Sequence, residues 1–130
     1  MYRVLLVDDE TMLLRILSQI LEHAGFSVTT ADCAEGAKAE LAKNQPFDLV
    51  VTDLRMESPV AGFEVVSAAN AQSPRPLIVI LTAFPVPAFE WKAAGADALY
   101  VKGLNTAQLP AELKSLLDRH SPGGATEKAG

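Results

Sequence analysis

Val4-Leu5-Leu6-Val7-Asp8-Asp9-Glu10 runs four branched aliphatic residues directly into three acids. An apolar run that short and continuous suits a strand buried on both faces of a parallel sheet. Residues 26–30, 49–52, 77–82 and 98–101 are four further short apolar runs. The segments between them carry helical spacing instead. Leu13, Ile16, Leu17, Ile20, Leu21 and Ala24 recur at intervals of three and four, and Gly25 then supplies a left-handed stop.

Asp32 followed three residues later by Glu35 reads as a capping box opening a second helix over 33–43, which Asn44-Gln45-Pro46 ends. A third helix is expected over 62–70, closed by Ser73-Pro74-Arg75-Pro76. Pro85 and Pro87 leave room for only about two turns before Gly95. A last helix begins near Asn105 or Thr106 and runs to about His120 on a stripe of Leu109, Leu113, Leu116 and Leu117, with Pro110 pushing its start later. Strand and helix thus alternate five times. That pattern predicts an α/β fold, a doubly wound five-stranded parallel sheet with helices on both faces.

Length and charge narrow the function. The 130 residues make one domain, with 1–120 carrying the fold and 121–130, rich in glycine and small polar residues, expected as a flexible tail or cut linker. Eleven basic against 16 acidic residues give a net charge of −5, which disfavours direct nucleic-acid binding. The single Cys33 forbids an internal disulfide and suits a reducing compartment. No apolar run is long enough to cross a membrane, and three acids follow the first one, unlike a secretory leader. A cytoplasmic protein is therefore expected.

In doubly wound sheets, ligands bind outside the carboxyl ends of the strands. Those ends here deliver Asp8-Asp9-Glu10, Asp53, Thr82 and Lys102. Carboxylates about 4 Å apart repel by roughly 4 kcal/mol at an effective dielectric near 20, so the group suits a hard divalent cation. Mg²⁺ fits, because it keeps part of its water shell and takes phosphate as a further ligand. Lys102 adds a positive charge and Thr82 a hydroxyl for phosphoryl oxygens. Asp53, alone on its strand, is the candidate nucleophile for forming an acyl phosphate.

The segments Val4-Leu5-Leu6-Val7-Asp8-Asp9-Glu10, Asp48-Leu49-Val50-Val51-Thr52-Asp53-Leu54-Arg55-Met56, Ile80-Leu81-Thr82-Ala83 and Gly95-Ala96-Asp97-Ala98-Leu99-Tyr100-Val101-Lys102 together resemble the response-regulator receiver domain of two-component signalling. The resemblance implies a flavodoxin-like sheet of order 2-1-3-4-5. It implies that Asp53 is the phosphoacceptor from a histidine kinase or histidine phosphotransfer protein. Asp9, Asp53 and the Arg55 backbone carbonyl would then hold Mg²⁺ directly, Asp8 largely through water, and Thr82 and Lys102 would hold the phosphoryl oxygens. The domain would be a signalling receiver, not a conventional enzyme, catalysing only its own phosphotransfer and slow autodephosphorylation. It would act on a downstream protein or an output domain of a longer chain, with a homodimer through the helix 4, strand 5 and helix 5 face as one possibility.

The chain departs from the family pattern around its readout. Gly103 follows Lys102 where the family has proline, and Glu57 follows Met56 where proline is usual. Leu99 occupies the place of the switch aromatic, with Tyr100 one position later and, by strand alternation, on the opposite face. Arg55 and Phe84 stand two residues after Asp53 and Thr82, positions that the resemblance places at the border of the phosphoryl group, and Phe84 is expected to shield it. Arg55 also argues against a haloacid-dehalogenase-type hydrolase, which needs an acid there. Three acids after the first strand would repel a flavin phosphate, and no glycine-rich phosphate loop is present. The remaining alternative is a receiver-like interaction module that works without phosphorylation.

His23 and His120 at helix ends, Cys33 at a helix start and Trp91 in the short fourth helix are read as structural.

Overall fold

The structure, a computed structural model, describes residues 1–103 and 106–120. The elements are β1 (Arg3–Val7), α1 (Thr11–His23), β2 (Ser27–Ala31), α2 (Ala34–Leu41), β3 (Leu49–Thr52), α3 (Ala61–Asn70), β4 (Leu77–Thr82), α4 (Ala88–Ala94), β5 (Ala98–Val101) and α5 (Leu109–His120). A single 3-10 turn over Thr106–Gln108 leads into α5. All four strand pairings are parallel, and the order is β2-β1-β3-β4-β5. The expected doubly wound sheet is present.

Why these strands sit where they do follows from their composition. β3 and β4 are buried throughout and β1 almost so, as their unbroken Val/Ile/Leu runs require. β2, with Ser27, Thr29 and Thr30, takes one edge, and the half-buried β5 takes the other. Alternation divides the core in two. Leu5, Val7, Val50, Ile78 and Ile80 meet α2 and α3 on one face. Val4, Leu6, Val51, Val79 and Leu81 meet Leu14, Leu17 and Leu21 of α1 and Leu109, Leu113 and Leu117 of α5 on the other. Each fully buried aliphatic side chain contributes about 2 kcal/mol of transfer free energy.

The helix ends bring two corrections. α2 begins one residue later than the Asp32–Glu35 capping box predicts. Its N-cap is Cys33, whose Sγ accepts the Gly36 N–H at 3.3 Å. The next free donor of that helix, the Ala34 N–H, is taken by Glu57 Oε2 at 2.9 Å, from 23 residues away. A tertiary partner thus does what a local box was expected to do. α2 also ends at Leu41, two residues short of the expected 43. The last helix starts later than Asn105 or Thr106, as Pro110 led one to expect: a 3-10 turn precedes it and Pro110 becomes its second residue, where a missing N–H is harmless. The expectation of a tail over 121–130 lies outside the described residues.

α4 has no buried residue and is fastened at its C-terminal end. Asn70 Nδ2 donates to the Gly95 carbonyl at 3.2 Å, and Arg75 Nη2 donates to the same oxygen at 2.8 Å. Arg75 also reaches Asn70 Oδ1 at 2.7 Å and Asp97 Oδ2 at 3.1 Å. Gly95 adopts φ +105, and a Cβ there would fall 2.0 Å from Asn70 Nδ2. Only glycine allows that clamp.

Candidate functional site

The carboxyl ends of β1, β3 and β4 and the residue after β5 meet at one rim. Asp8 leaves β1 buried, with 2 % of its surface exposed, and its Oδ1 accepts the Glu10 N–H at 2.9 Å. Asp53 follows β3 and is 6 % exposed. Its Oδ1 accepts the Leu54 N–H at 2.7 Å, which leaves Oδ2 facing the rim. That loop is set by Gly62. A Cβ at this position would lie 2.1 Å from the Asp53 carbonyl oxygen and 2.4 Å from Leu54 Cα, so only glycine lets α3 start against the end of β3.

Lys102 closes the group. Its Nζ lies 2.6 Å from Asp53 Oδ2, 2.7 Å from Asp8 Oδ2 and 2.9 Å from Glu10 Oε1. Three carboxylates therefore surround one ammonium. Burial opposes the Lys102 charge, but hydrogen bonds to Asp53, Asp8 and Glu10 outweigh it and hold the pKa above that of an ordinary lysine. Burial raises the Asp8 pKa, and the opposing bonds from Lys102 and the Glu10 amide do not cancel it. The rim keeps a net negative charge of three carboxylates against one ammonium.

Thr82, the last residue of β4, is fully buried, and its Oγ1 accepts the Phe84 N–H at 3.1 Å. Lys102 is tied to the same residue through its backbone N–H, which donates to the Thr82 carbonyl at 2.9 Å. Arg55 and Phe84 are both exposed and lie against each other, with the guanidinium carbon 4.8 Å from the ring centroid. Their side chains thus pair across the two loops that flank Asp53 and Thr82.

Of the residues singled out in the sequence, Asp8, Asp53 and Lys102 are in direct contact, with Thr82 beside Lys102. Asp9 is exposed and stands outside the cluster of carboxylate oxygens. Glu10 takes a place there that sequence reasoning did not assign it. The oxygens of Asp8, Glu10 and Asp53 lie within 4.8 Å of one another. No local pattern signals this: β1 ends at Val7, the chain bends at Asp9, and the turn closed by the Glu10 N–H on Asp8 Oδ1 brings the Glu10 side chain back toward Lys102. This hard, all-oxygen donor set fits a divalent cation such as Mg²⁺.

The sequence model of the response regulator receiver domain matches residues 4–114. The chain belongs to this family. The alginate biosynthesis transcriptional regulatory protein AlgB of Pseudomonas aeruginosa is 39 % identical over 109 residues, which cover 82 % of this receiver chain and 24 % of AlgB. The chain therefore spans about a quarter of that relative's length. Among solved structures, a CheY-like response regulator receiver domain protein from Methanospirillum hungatei superposes with a TM-score of 0.82 at 30 % identity. It covers 100 % of this chain and 99 % of its own. The response regulator TrrA of Thermotoga maritima, solved in complex with Mg²⁺ and a beryllium fluoride, gives 0.75 at 30 % identity over 89 % of this chain and 99 % of that one. Among the described residues of this receiver domain, no helix is long and apolar enough to cross a membrane.

Two readout features distinguish this receiver domain. Leu99 packs against the core face of α2 and α3, whereas Tyr100 packs against that of α1 and α5. Tyr100 therefore does not stand in for an aromatic at position 99. Phe84 and Phe89, at 58 % and 76 % exposure, place two aromatic rings at the surface on the α4 side.

Proposed function

We propose that this receiver domain is the phosphoacceptor of a two-component or phosphorelay system, modified on Asp53. The supporting observation is the single ammonium of Lys102 held between Asp53 Oδ2, Asp8 and Glu10 at the carboxyl edge of the sheet. Asp53 Oδ2 is the attacking atom, because Oδ1 is held by the backbone N–H of Leu54 whereas the partner of Oδ2 is the Lys102 side chain, which can turn away. Its bond to phosphorus forms as the phosphorus–nitrogen bond of a donor phosphohistidine breaks. The electron pair leaves with the imidazole nitrogen, which keeps or regains a proton according to its tautomer. With acetyl phosphate as donor, acetate leaves instead.

Mg²⁺, when bound, would neutralise the donor phosphate among the rim carboxylates and lower the charge barrier to attack. Asp8, Asp9, Asp53 and the Arg55 backbone carbonyl are the proposed ligands, and Glu10 is available beside them. Lys102 moves from Asp53 Oδ2 toward a phosphoryl oxygen as the carboxylate loses its charge. Thr82 Oγ1 turns its hydroxyl to another, which withdraws the acceptor of the Phe84 amide and passes the change to the start of α4. The stacked Arg55–Phe84 pair is positioned to limit water at the acyl phosphate. Phe84→Ala is accordingly expected to shorten the lifetime of the phosphorylated form, and an unchanged dephosphorylation rate contradicts this role.

The donor would be a histidine kinase or a histidine phosphotransfer protein. The responding surface is the α4, β5 and α5 face, with its exposed Phe89, acting on a second copy, a downstream protein or an output domain. Intact mass spectrometry with acetyl phosphate and Mg²⁺ tests the chemistry. The chain should gain one phosphoryl group, and neither Asp53→Asn nor the chelator-treated protein should. No gain in the parent chain leaves only an interaction module that works without phosphate.

A further inference from the structure

We propose that Glu10 is the positioning residue for Lys102 in this phosphotransfer, an exposed anionic arm that keeps the ammonium at the rim when Asp53 and Asp8 turn to a cation and a phosphoryl group. The inference rests on the phosphoacceptor reading above and deepens it. An ammonium has three N–H donors, and all three of Lys102 are matched by carboxylates, at 2.6 Å from Asp53, 2.7 Å from Asp8 and 2.9 Å from Glu10. The three partners are not equivalent. The Asp53 and Asp8 side chains are 7 % and 3 % exposed, whereas that of Glu10 is 63 % exposed.

Catalysis asks two of these partners to let go. The 2.6 Å charge-assisted bond from Lys102 draws electron density from Asp53 Oδ2 and makes it a weaker nucleophile, so attack on phosphorus is favoured once Lys102 turns away. A divalent cation held on Asp8 and Asp53 repels the ammonium from both. Glu10 is then the one present partner that can still hold Lys102. Its geometry suits that role. Glu10 is the N-cap of α1, yet its side chain makes no capping bond, so the carboxylate is not committed to the helix. Its backbone N–H donates to Asp8 Oδ1 at 2.9 Å, which fixes the turn from which the arm extends over the rim. Lys102 thus pivots on Glu10 from Asp53 Oδ2 to the incoming phosphoryl oxygen without leaving the site.

The competing role for Glu10 is as a cation ligand, since its oxygen lies within 4.8 Å of those of Asp8 and Asp53. Glu10→Gln separates the two, because it keeps size and hydrogen bonding and removes only the charge. On the full chain, Mg²⁺ affinity is measured by calorimetry, and phosphorylation by acetyl phosphate at saturating Mg²⁺ is followed by intact mass. The expected result is Mg²⁺ affinity held within about threefold and a phosphorylation rate lowered about tenfold. In a Lys102→Ala background the same substitution should change the rate by less than about twofold, because its effect acts through Lys102. A loss of Mg²⁺ affinity beyond about tenfold that excess Mg²⁺ repairs makes Glu10 a ligand and overturns the proposal. An unchanged rate, or an equal loss with and without Lys102, overturns it too. If the parent chain gains no phosphoryl group at all, the phosphoacceptor reading falls and this one falls with it; a parent that gains one while Glu10→Gln matches its rate sinks the Glu10 role alone.

Discussion

Asp8 and Lys102 should respond in opposite directions when their charges are removed. The buried Asp8 carboxylate has a raised pKa, so the fold disfavours its ionised form. That penalty is full above the folded pKa and vanishes below the ordinary carboxylate value, where both states are protonated. Asp8→Asn is therefore expected to stabilise the domain by about 1 kcal/mol at neutral pH, with the gain disappearing on acidification. The Lys102 pKa is also raised, but for a cation this means the charged form is favoured in the fold. Its contribution is whole below the ordinary lysine pKa and is lost only as pH rises through the higher folded value. Lys102→Met strands the carboxylates and should lower stability by about 2–3 kcal/mol, less than for a fully buried pair because Glu10 is open to water. Urea titrations of the two variants at neutral and acidic pH check both signs. A rim that gains stability when one of its acids is neutralised is arranged for a cation and a phosphoryl group rather than for the resting fold.

At the scale of elements, the five strands and the helices on both faces were legible because parallel sheets leave unbroken aliphatic runs, as in 4–7 and 77–82, whereas the strand order followed from the resemblance to receiver domains. The strand-end residues Asp8, Asp53, Thr82 and Lys102 were legible for the same reason: once the strands are placed, their carboxyl ends are placed too. What the sequence concealed was tertiary. Glu57 satisfying the Ala34 amide, Arg75 linking Asn70, Gly95 and Asp97, and Glu10 reaching Lys102 across 92 residues all depend on loops that local propensity does not position. Gly62 belongs to this class, since its need for a missing side chain arises from the backbone of Asp53 and Leu54. Gly62→Ala must shift that backbone, and a loss of about 3 kcal/mol in chemical unfolding is expected. The same variant should be phosphorylated more slowly, because the loop carrying Asp53 moves with it. A stability within error of the parent contradicts the close approach.

Over the whole molecule, the residue preceding the first strand meets the last helix in a polar contact at the far end of the sheet from the rim. The Tyr2 hydroxyl donates to Asp118 Oδ1 at 2.6 Å. That bond, together with burial and the Asp118 charge, pushes the Tyr2 pKa up to about 12, and burial raises Tyr100 as well. Folding therefore favours the neutral phenol, and the stability this contributes is lost as pH rises from the ordinary tyrosine value through the folded one. Ultraviolet titration should find both tyrosines ionising above the usual range. In Asp118→Asn, Tyr2 should return toward it while Tyr100 stays raised. The surface-lying α4 has no buried residue; its C-terminal end is clamped by Asn70 and Arg75, Val86 and Trp91 pack on the core, and its N-terminal approach is tied to Thr82 through the Phe84 amide. In the proposed mechanism, a phosphoryl group on Asp53 would act on that end through Thr82.

The identity of the phosphorylated residue is the point on which the rest depends. Treating the chain with acetyl phosphate and Mg²⁺, reducing the acyl phosphate with borohydride and mapping peptides by mass spectrometry locates it directly. The prediction is homoserine at position 53, with every other aspartate and glutamate intact. Homoserine at any other position, or an unmodified Asp53 in protein that has gained a phosphoryl group, contradicts the account.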